Sequence, residues 1–389
     1  MAKQLRRQQI YVHCMNGRKH LWYCINFDSE SSTVELSQVA PMELEFRGDW
    51  AIVGNHIYWA GGIKNPEPSD MGIRLPYSSM ELYRHDITST DPVSWVPVSS
   101  SKKLHRHEAC VVSLDKTIYV LGGKKFPYEG DEYEGRYCGE AYDIDSFDTK
   151  SWKLMALNVQ DFATFTSSTT AFVKGEGEVV CYSILTGHLL IYNIHEDGFK
   201  FQVHPHFNFR VSRSPSGNSL PNGLDDGDLD KLIYVVINVR PVVSNSTLYW
   251  FANNLILYGY DFSEKRWFKS TSLQGMLWEL PFPDDAFPVL VQLCRTDFVL
   301  IAPLSSGKLG VAHLVVFRNT RSLDVSVELL STLSVDDPVF VPVDGIAIPV
   351  DTEEPATKKG STIKDKENNK KDKGAVAPCI MAKRVRNAT

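Results

Sequence analysis

Apolar residues along this chain fall in short runs rich in Val, Ile, Tyr, Phe and Trp, broken every few positions by Gly, Asp, Asn and Pro. Helical periodicity is almost absent, so the pattern predicts an all-β chain. From Phe46 the runs read FRGDWAIVG, NHIYWAGGI, a loop, MELYRHDI and SWVPVS, which makes four strands. From His107 the same order returns as HEACVVSLD, KTIYVLGGK, a loop, EAYDID and SWKLMAL. A weaker copy follows in STTAFVKG, EVVCYSIL, HLLIYNIHED and FKFQVHP. Two more read KLIYVVINV, TLYWFAN, NLILYGYDFSEK, RWFKSTS and then FPVLVQLC, DFVLIAP, GVAHLVVFR, VSVELLS. Corresponding positions recur at roughly 50 to 60 residues, a period that belongs to repeat architectures.

The amino-terminal segment offers only three strands, QIYVHCM, HLWYCINF and TVELSQV. By position they are the second, third and fourth strands of a unit whose first strand is missing. PVFVPVDGIAIPV, from Pro338 to Val350, is the candidate to supply it. A strand from one end completing a sheet begun at the other closes a ring and removes its open edges. The expectation is therefore a β-propeller of six four-stranded blades over residues 8–350, followed by a disordered tail over 351–389.

Two of the runs end on paired glycines, Gly61-Gly62 and Gly122-Gly123. Glycine leaves a gap in a strand and costs backbone entropy, so a pair points to a place where the chain passes too close to a neighbour for a Cβ. Gly61-Gly62 is followed by Tyr83 and Trp95, and Gly122-Gly123 by Tyr142 and Trp152. Tyr260 and Trp267 keep the Tyr–Trp half without the glycines. In these residues the chain resembles the kelch-repeat family, found with galactose-oxidase-like propellers. The resemblance implies a propeller scaffold with interaction loops, in which Tyr and Trp wedge the blades together, and no chemistry by itself. Members of that family often serve as substrate receptors of ubiquitin ligases, joined to an F-box or BTB domain. Residues 1–46 read as strands with no room for either, so a ligase role would need a separately encoded adaptor.

Charge and composition narrow the picture. The formal net charge is −6, with a +4 tail from Asp351 onward and about −10 in the remainder. An acidic body argues against nucleic acid as a partner. No apolar run is long enough for a membrane helix, and the basic amino terminus lacks the apolar core of a secretory signal. Seven scattered cysteines without CxxC spacing favour free thiols in a reducing compartment, hence cytosol or nucleus. The tail's KRVR cluster, from Lys383 to Arg386, is of a kind read by an import receptor or an acidic partner.

Candidate chemistry is sparse. The chain carries no GxSxG, Walker loop, HExxH or Rossmann fingerprint. DDGDLD, from Asp225 to Asp230, has a calcium loop's alternating acids but not its glycine or distal glutamate. His105 with His107, and His204 with His206, each make half a metal site and are read as structural or surface histidines. Neither the copper site of galactose oxidase nor the Glu/Asp/His iron triad of some kelch proteins can be matched residue by residue. The expectation is a protein without catalysis, metal or cofactor.

Loop lengths say more. In an antiparallel four-stranded unit, the connection from strand two to three opens on the same side as the connection to the next unit. Sorted that way, the long segments Lys64 to Ser79, Lys124 to Gly139, Phe207 to Asp230 and Gly275 to Ala286 fall on one face. Binding residues concentrate in such loops. KKFPYEGDEYEGRYCGE stands out among them, and Arg106, Tyr128, Glu129, Asp131, Glu132, Tyr133 and Arg136 are the candidate contacts. Its aromatics offer contact area and its acids select a basic or mixed peptide. The leading expectation is a non-enzymatic scaffold binding a protein or peptide through one face. The alternatives are a ubiquitin-ligase substrate receptor and a propeller with a small-molecule or enzymatic site at the channel mouth.

Overall fold

The computed structural model describes residues 7–16, 19–28, 33–42, 46–64, 75–89, 95–99, 104–126, 128–129, 137–145, 152–156, 169–175, 177–183, 188–193, 198–202, 241–252, 254–278, 288–304, 307–335 and 341–349. Among them are strands, turns and irregular segments and no helix. Strands β1 (Gln8–Asn16), β2 (Lys19–Asp28) and β3 (Thr33–Met42) open the chain. A second sheet follows from β4 (Phe46–Val53), β5 (His56–Lys64), the short β6 (Tyr77–Ser78), β7 (Leu82–Asp86) and β8 (Val96–Ser99). The third holds β9 (Cys110–Leu114), β10 (Thr117–Leu121), β11 (Tyr137–Asp143) and β12 (Lys153–Ala156). The fourth holds β13 (Thr169–Gly175), β14 (Glu178–Ser183), β15 (His188–Asn193) and β16 (Gly198–Gln202). The fifth holds β17 (Val242–Ser244), β18 (Thr247–Phe251), β19 (Leu257–Asp261) and β20 (Arg266–Lys269). The sixth holds β21 (Val289–Gln292), β22 (Asp297–Pro303), β23 (Lys308–Arg318) and β24 (Leu323–Ser334).

The last strand, β25 (Val341–Pro349), does not start a new sheet. It pairs antiparallel with β1, Ile10 opposite Ala347 and Tyr11 opposite Ile346, giving the order β25-β1-β2-β3. The two ends of the described chain thus share one sheet, as the missing first strand led us to expect. First strands then succeed one another around the molecule: β4 beside β9, β9 beside β13, β13 beside β17, β17 beside β21 and β21 beside β25. Ile346 and Ile348 of β25 pack with Trp50 and Ile52 of β4, which closes the circuit. The architecture is a β-propeller.

Large side chains fill the spaces between sheets. Val12 and Ile25 meet Val299 and Val311 between the first and sixth sheets. Tyr58 and Ala60 meet Val111, Val120 and Trp152 between the second and third. Phe251 and Phe268 meet Phe298 and Leu314 between the fifth and sixth. Two of the Tyr–Trp pairs serve this packing: Tyr142 lies 5.2 Å from Trp152 at the junction of the second and third sheets, and Tyr83 and Trp95 join the junction of the first two. Tyr260, 5.1 Å from Trp267, is buried with it in the fifth sheet.

The run KLIYVVINV lies outside the described residues, among which the first strand of the fifth sheet is the short Val242–Ser244. One expectation needs correction: Gly61-Gly62 does not end its strand, because β5 runs on to Lys64 and pairs there with β6. The glycine pairs have a second reason to exist: all four residues have positive φ, from 64° to 106°, where a side chain is strained. Close approach holds for Gly123, whose Cβ would stand 2.9 Å from Ala109 Cβ and from the His107 carbonyl oxygen.

The strand order sorts the connections. Turns between first and second strands are tight, at Gly54-Asn55, Asp115-Lys116 and Asn245-Ser246. Each begins with a positive φ, at residue types that tolerate it. The longer connections, β5 to β7, β8 to β9, β10 to β11 and β20 to β21, open on the opposite face.

Candidate functional site

On the long-loop face, the margin between the second and third sheets is built from three returning segments. The chain leaving β5 comes back as β6, with Ile63 opposite Ser78 and Lys64 opposite Tyr77. The chain entering β9 passes through Leu104–Ala109, and that leaving β10 through Gly122–Phe126. These two are clipped together by mutual backbone hydrogen bonds between His107 and Lys124, each 2.8 Å.

Glu129 bolts the three segments into one. Its Oε1 accepts the Ser78 backbone N–H at 2.5 Å, and its Oε2 accepts the Ser78 hydroxyl at 2.8 Å and the Phe126 N–H at 2.9 Å. Its own N–H returns a 3.0 Å bond to the Phe126 carbonyl. The carboxylate side chain is only 6% exposed. Burial pushes the carboxyl upward, but bonds from Ser78 and Phe126, with His105 Nδ1 3.9 Å away, outweigh it and hold Glu129 below its ordinary range. Ser78, fully buried, spends its proton on Glu129 and therefore accepts from His107 Nδ1 at 3.0 Å.

Above the bolt rises a column of rings. Phe126 stacks on buried His107 at 4.5 Å, and Tyr128 stacks on Phe126 at 5.4 Å with a 10° interplanar angle. The Tyr128 hydroxyl donates to the Pro76 carbonyl, while its ring remains 48% exposed. On either side of Pro76, Leu75 and Tyr77 are 57% and 43% exposed. Ion pairs border the group: Lys64 with Glu81 and Lys124 with Glu108, each 2.6 Å.

Of the loop residues singled out in the sequence, Tyr128 reaches solvent and Glu129 turns inward. Arg106 is buried, with Nη1 donating 3.0 Å to the His105 carbonyl, so its guanidinium faces protein. Asp131, Glu132, Tyr133 and Arg136 lie outside the described residues, as do DDGDLD, His204, His206, the KRVR cluster and the whole of 351–389. His105 and His107 do not converge: His107 is buried under Phe126, and His105 is half-buried near Glu129. Among the described residues no three His, Cys, Asp or Glu side chains gather as metal ligands. Sequence reading overlooked Leu75, Tyr77 and Ser78. The signal was RLPY, apolar residues around a proline inside a long loop, where solvent ordinarily selects polar ones.

Comparison with protein-family models gives no match, and comparison with curated proteins gives none. Among solved structures, that of YjhT is similar at 11% identity, covering 73% of this chain and 98% of its own, with a TM-score of 0.38. A nidogen/laminin complex structure is similar at 8% identity, covering 88% of this chain and 98% of its own, with a TM-score of 0.45. Likeness at that level carries no argument, and the fold assignment rests on the order of the strands.

Proposed function

We propose that the chain is a kelch-type propeller of six blades that binds a protein or peptide partner through its long-loop face and performs no chemistry itself. One observation carries the reading: exposed aromatic and aliphatic side chains stand on a braced loop platform on that face, while first-to-second-strand connections opposite are tight turns. The diglycines and Tyr–Trp pairs support the kelch assignment, and six sheets among the described residues, five of four strands and one with the short β6 added, support the blade count. Cys14, Cys24 and Cys294, as thiols outside any disulfide among the described residues, agree with a reducing compartment, cytosol or nucleus.

The test is affinity capture with the intact chain from its native tissue, followed by mass spectrometry. A parallel capture uses a variant carrying Tyr128→Ser, Tyr133→Ser and Arg136→Ala. We expect proteins retained by the parent and lost by the variant, with melting temperature unchanged. Capture undiminished by the variant removes this loop from the reading, and an empty parent capture removes partner binding. A ubiquitin-ligase adaptor among the retained proteins would select the substrate-receptor alternative.

A further inference from the structure

If the long-loop face recognises a partner, as proposed, the chemistry of its margin tells what kind of segment it takes; the inference rests on that reading. Leu75, Tyr77 and Tyr128 are large apolar side chains left exposed side by side. They are braced rather than scattered. The Tyr128 hydroxyl is fixed to the Pro76 carbonyl, between the other two residues, and its ring lies on Phe126. Ser78, next to Tyr77, is tied to Glu129 through backbone and side chain. Exposed rings held this firmly lose little freedom when covered, so contact area converts well into affinity.

Among the described residues, the charges bordering the platform are already matched. Lys64, across the ladder from Tyr77, pairs with Glu81, and Lys124, bridged to His107, pairs with Glu108. Glu129, one of the loop acids expected to attract a basic peptide and the one among the described residues, commits both oxygens inward. A charged segment laid here would lose hydration without meeting an unmatched countercharge among the described residues. An uncharged one loses nothing of that kind. Flat aromatic faces suit the polyproline II conformation, which is stiff before binding and presents pyrrolidine rings to such faces. We propose that Leu75, Tyr77 and Tyr128 form a docking platform for an uncharged, proline-containing, extended segment of a partner protein.

The test pans displayed random peptides of about twelve residues on the full chain. Counter-selection uses a variant with Leu75→Ser, Tyr77→Ser and Tyr128→Ser. Enriched peptides should be proline-containing and free of charge bias, and should bind that variant at least about tenfold more weakly than the parent. Leu75→Lys alone keeps both tyrosines and the Tyr128 hydrogen bond, and should weaken binding similarly; it decides the matter if the triple variant fails to fold. Enrichment of Lys/Arg-rich peptides, or equal binding to Leu75→Lys, overturns the platform. The wider face reading survives in that case if those peptides are lost on Tyr133→Ser/Arg136→Ala. No enrichment over the counter-selected chain also overturns the platform, and an empty native capture overturns the wider reading as well.

Discussion

Two junctions between sheets solve the same packing problem with different materials. Where the closing sheet meets the second, the space is filled by Trp22, Trp50, Trp59 and Trp95 around His13 and His20. Trp22 and Trp59 meet edge to face at 5.6 Å, and His13 Nε2 and His20 Nδ1 share a hydrogen at 2.9 Å. The four indole N–H groups and His20 Nε2 have no hydrogen-bond partner among the described residues. Where the fifth sheet meets the sixth, the filling is Leu and Phe, and polarity is moved to the margin. There Asp261, in a carboxylate 1% exposed, accepts from Ser246, Thr247, Ser263 and the Glu264 N–H, and from Arg318 of the next sheet. Arg318 and Arg266 also lie over the Phe268 ring, at 4.3 and 4.4 Å. The first junction gains from ring area in spite of its polar atoms; the second gains from keeping every acceptor of one carboxylate occupied.

The contrast between the junctions is broken most readily at their best-buried groups. Trp59→Ala removes a fully buried indole contacting His20 and Trp22, and should lower stability by about 3–5 kcal/mol. Asp261→Asn preserves shape but removes the charge that Arg318 meets, and should cost about 2–3 kcal/mol. Urea midpoints of the two variants, with unchanged slopes, check both. An Asp261→Asn loss larger than that of Trp59→Ala would reverse the ranking and make the marginal knot a stronger fastening than ring burial.

Acid should separate the junctions by pH. Burial lowers the His20 imidazole from 6.5 to about 4, so below pH 6.5 the unfolded chain takes up a proton that the folded chain refuses. Stability is complete above that pH and falls between 6.5 and about 4, by up to about 3 kcal/mol. For Asp261, burial works upward, but hydrogen bonds from Ser263, Glu264 and Ser246 and the Arg318 charge bring the carboxyl from 3.8 down to about 2. Its contribution is present above 3.8 and disappears as the pH falls toward 2. The closing junction should therefore weaken first on acidification. His20→Gln, which cannot titrate, should flatten the upper window and leave the lower one; a profile unchanged by His20→Gln would detach the upper window from this junction.

Alternation and spacing made the strands and the ring closure legible, because burial on one side of a sheet imposes its period on the residues themselves. The Asp that ends β7, β11 and β19 was not read, although it recurs: Asp86 holds the Thr88 N–H at 2.9 Å and Asp143 the Asp145 N–H at 3.0 Å, as Asp261 holds Ser263 at 2.7 Å. An acid before a turn looks like solvated filler until its acceptors are counted. Of these three only Asp261 is also buried, and it meets there a charge from Arg318, 57 residues away. The site shows the same limit. The loop's aromatic and acidic character was visible, but Glu129 owes its inward turn to Ser78, 51 residues earlier. Local pattern specifies strands; partners brought together across sheets decide which polar residues remain free.

The smallest expected effect sharpens that point at the rim. Glu129→Gln leaves one acceptor oxygen where two now receive three donors from Ser78 and Phe126. The loss should be about 1–2 kcal/mol and confined to the junction of β6 with the 124–129 segment. Amide exchange reads it directly, with the Ser78 and Phe126 N–H groups exchanging faster while those of β18 and β22 stay protected. The urea midpoint should shift less than for either core variant. Because the platform of Leu75, Tyr77 and Tyr128 stands on this carboxylate, the same substitution should loosen it without removing any contact side chain. Unchanged exchange at Ser78 would mean that backbone pairing of β5 with β6 holds the rim alone, and that Glu129 follows the fold there rather than fastening it.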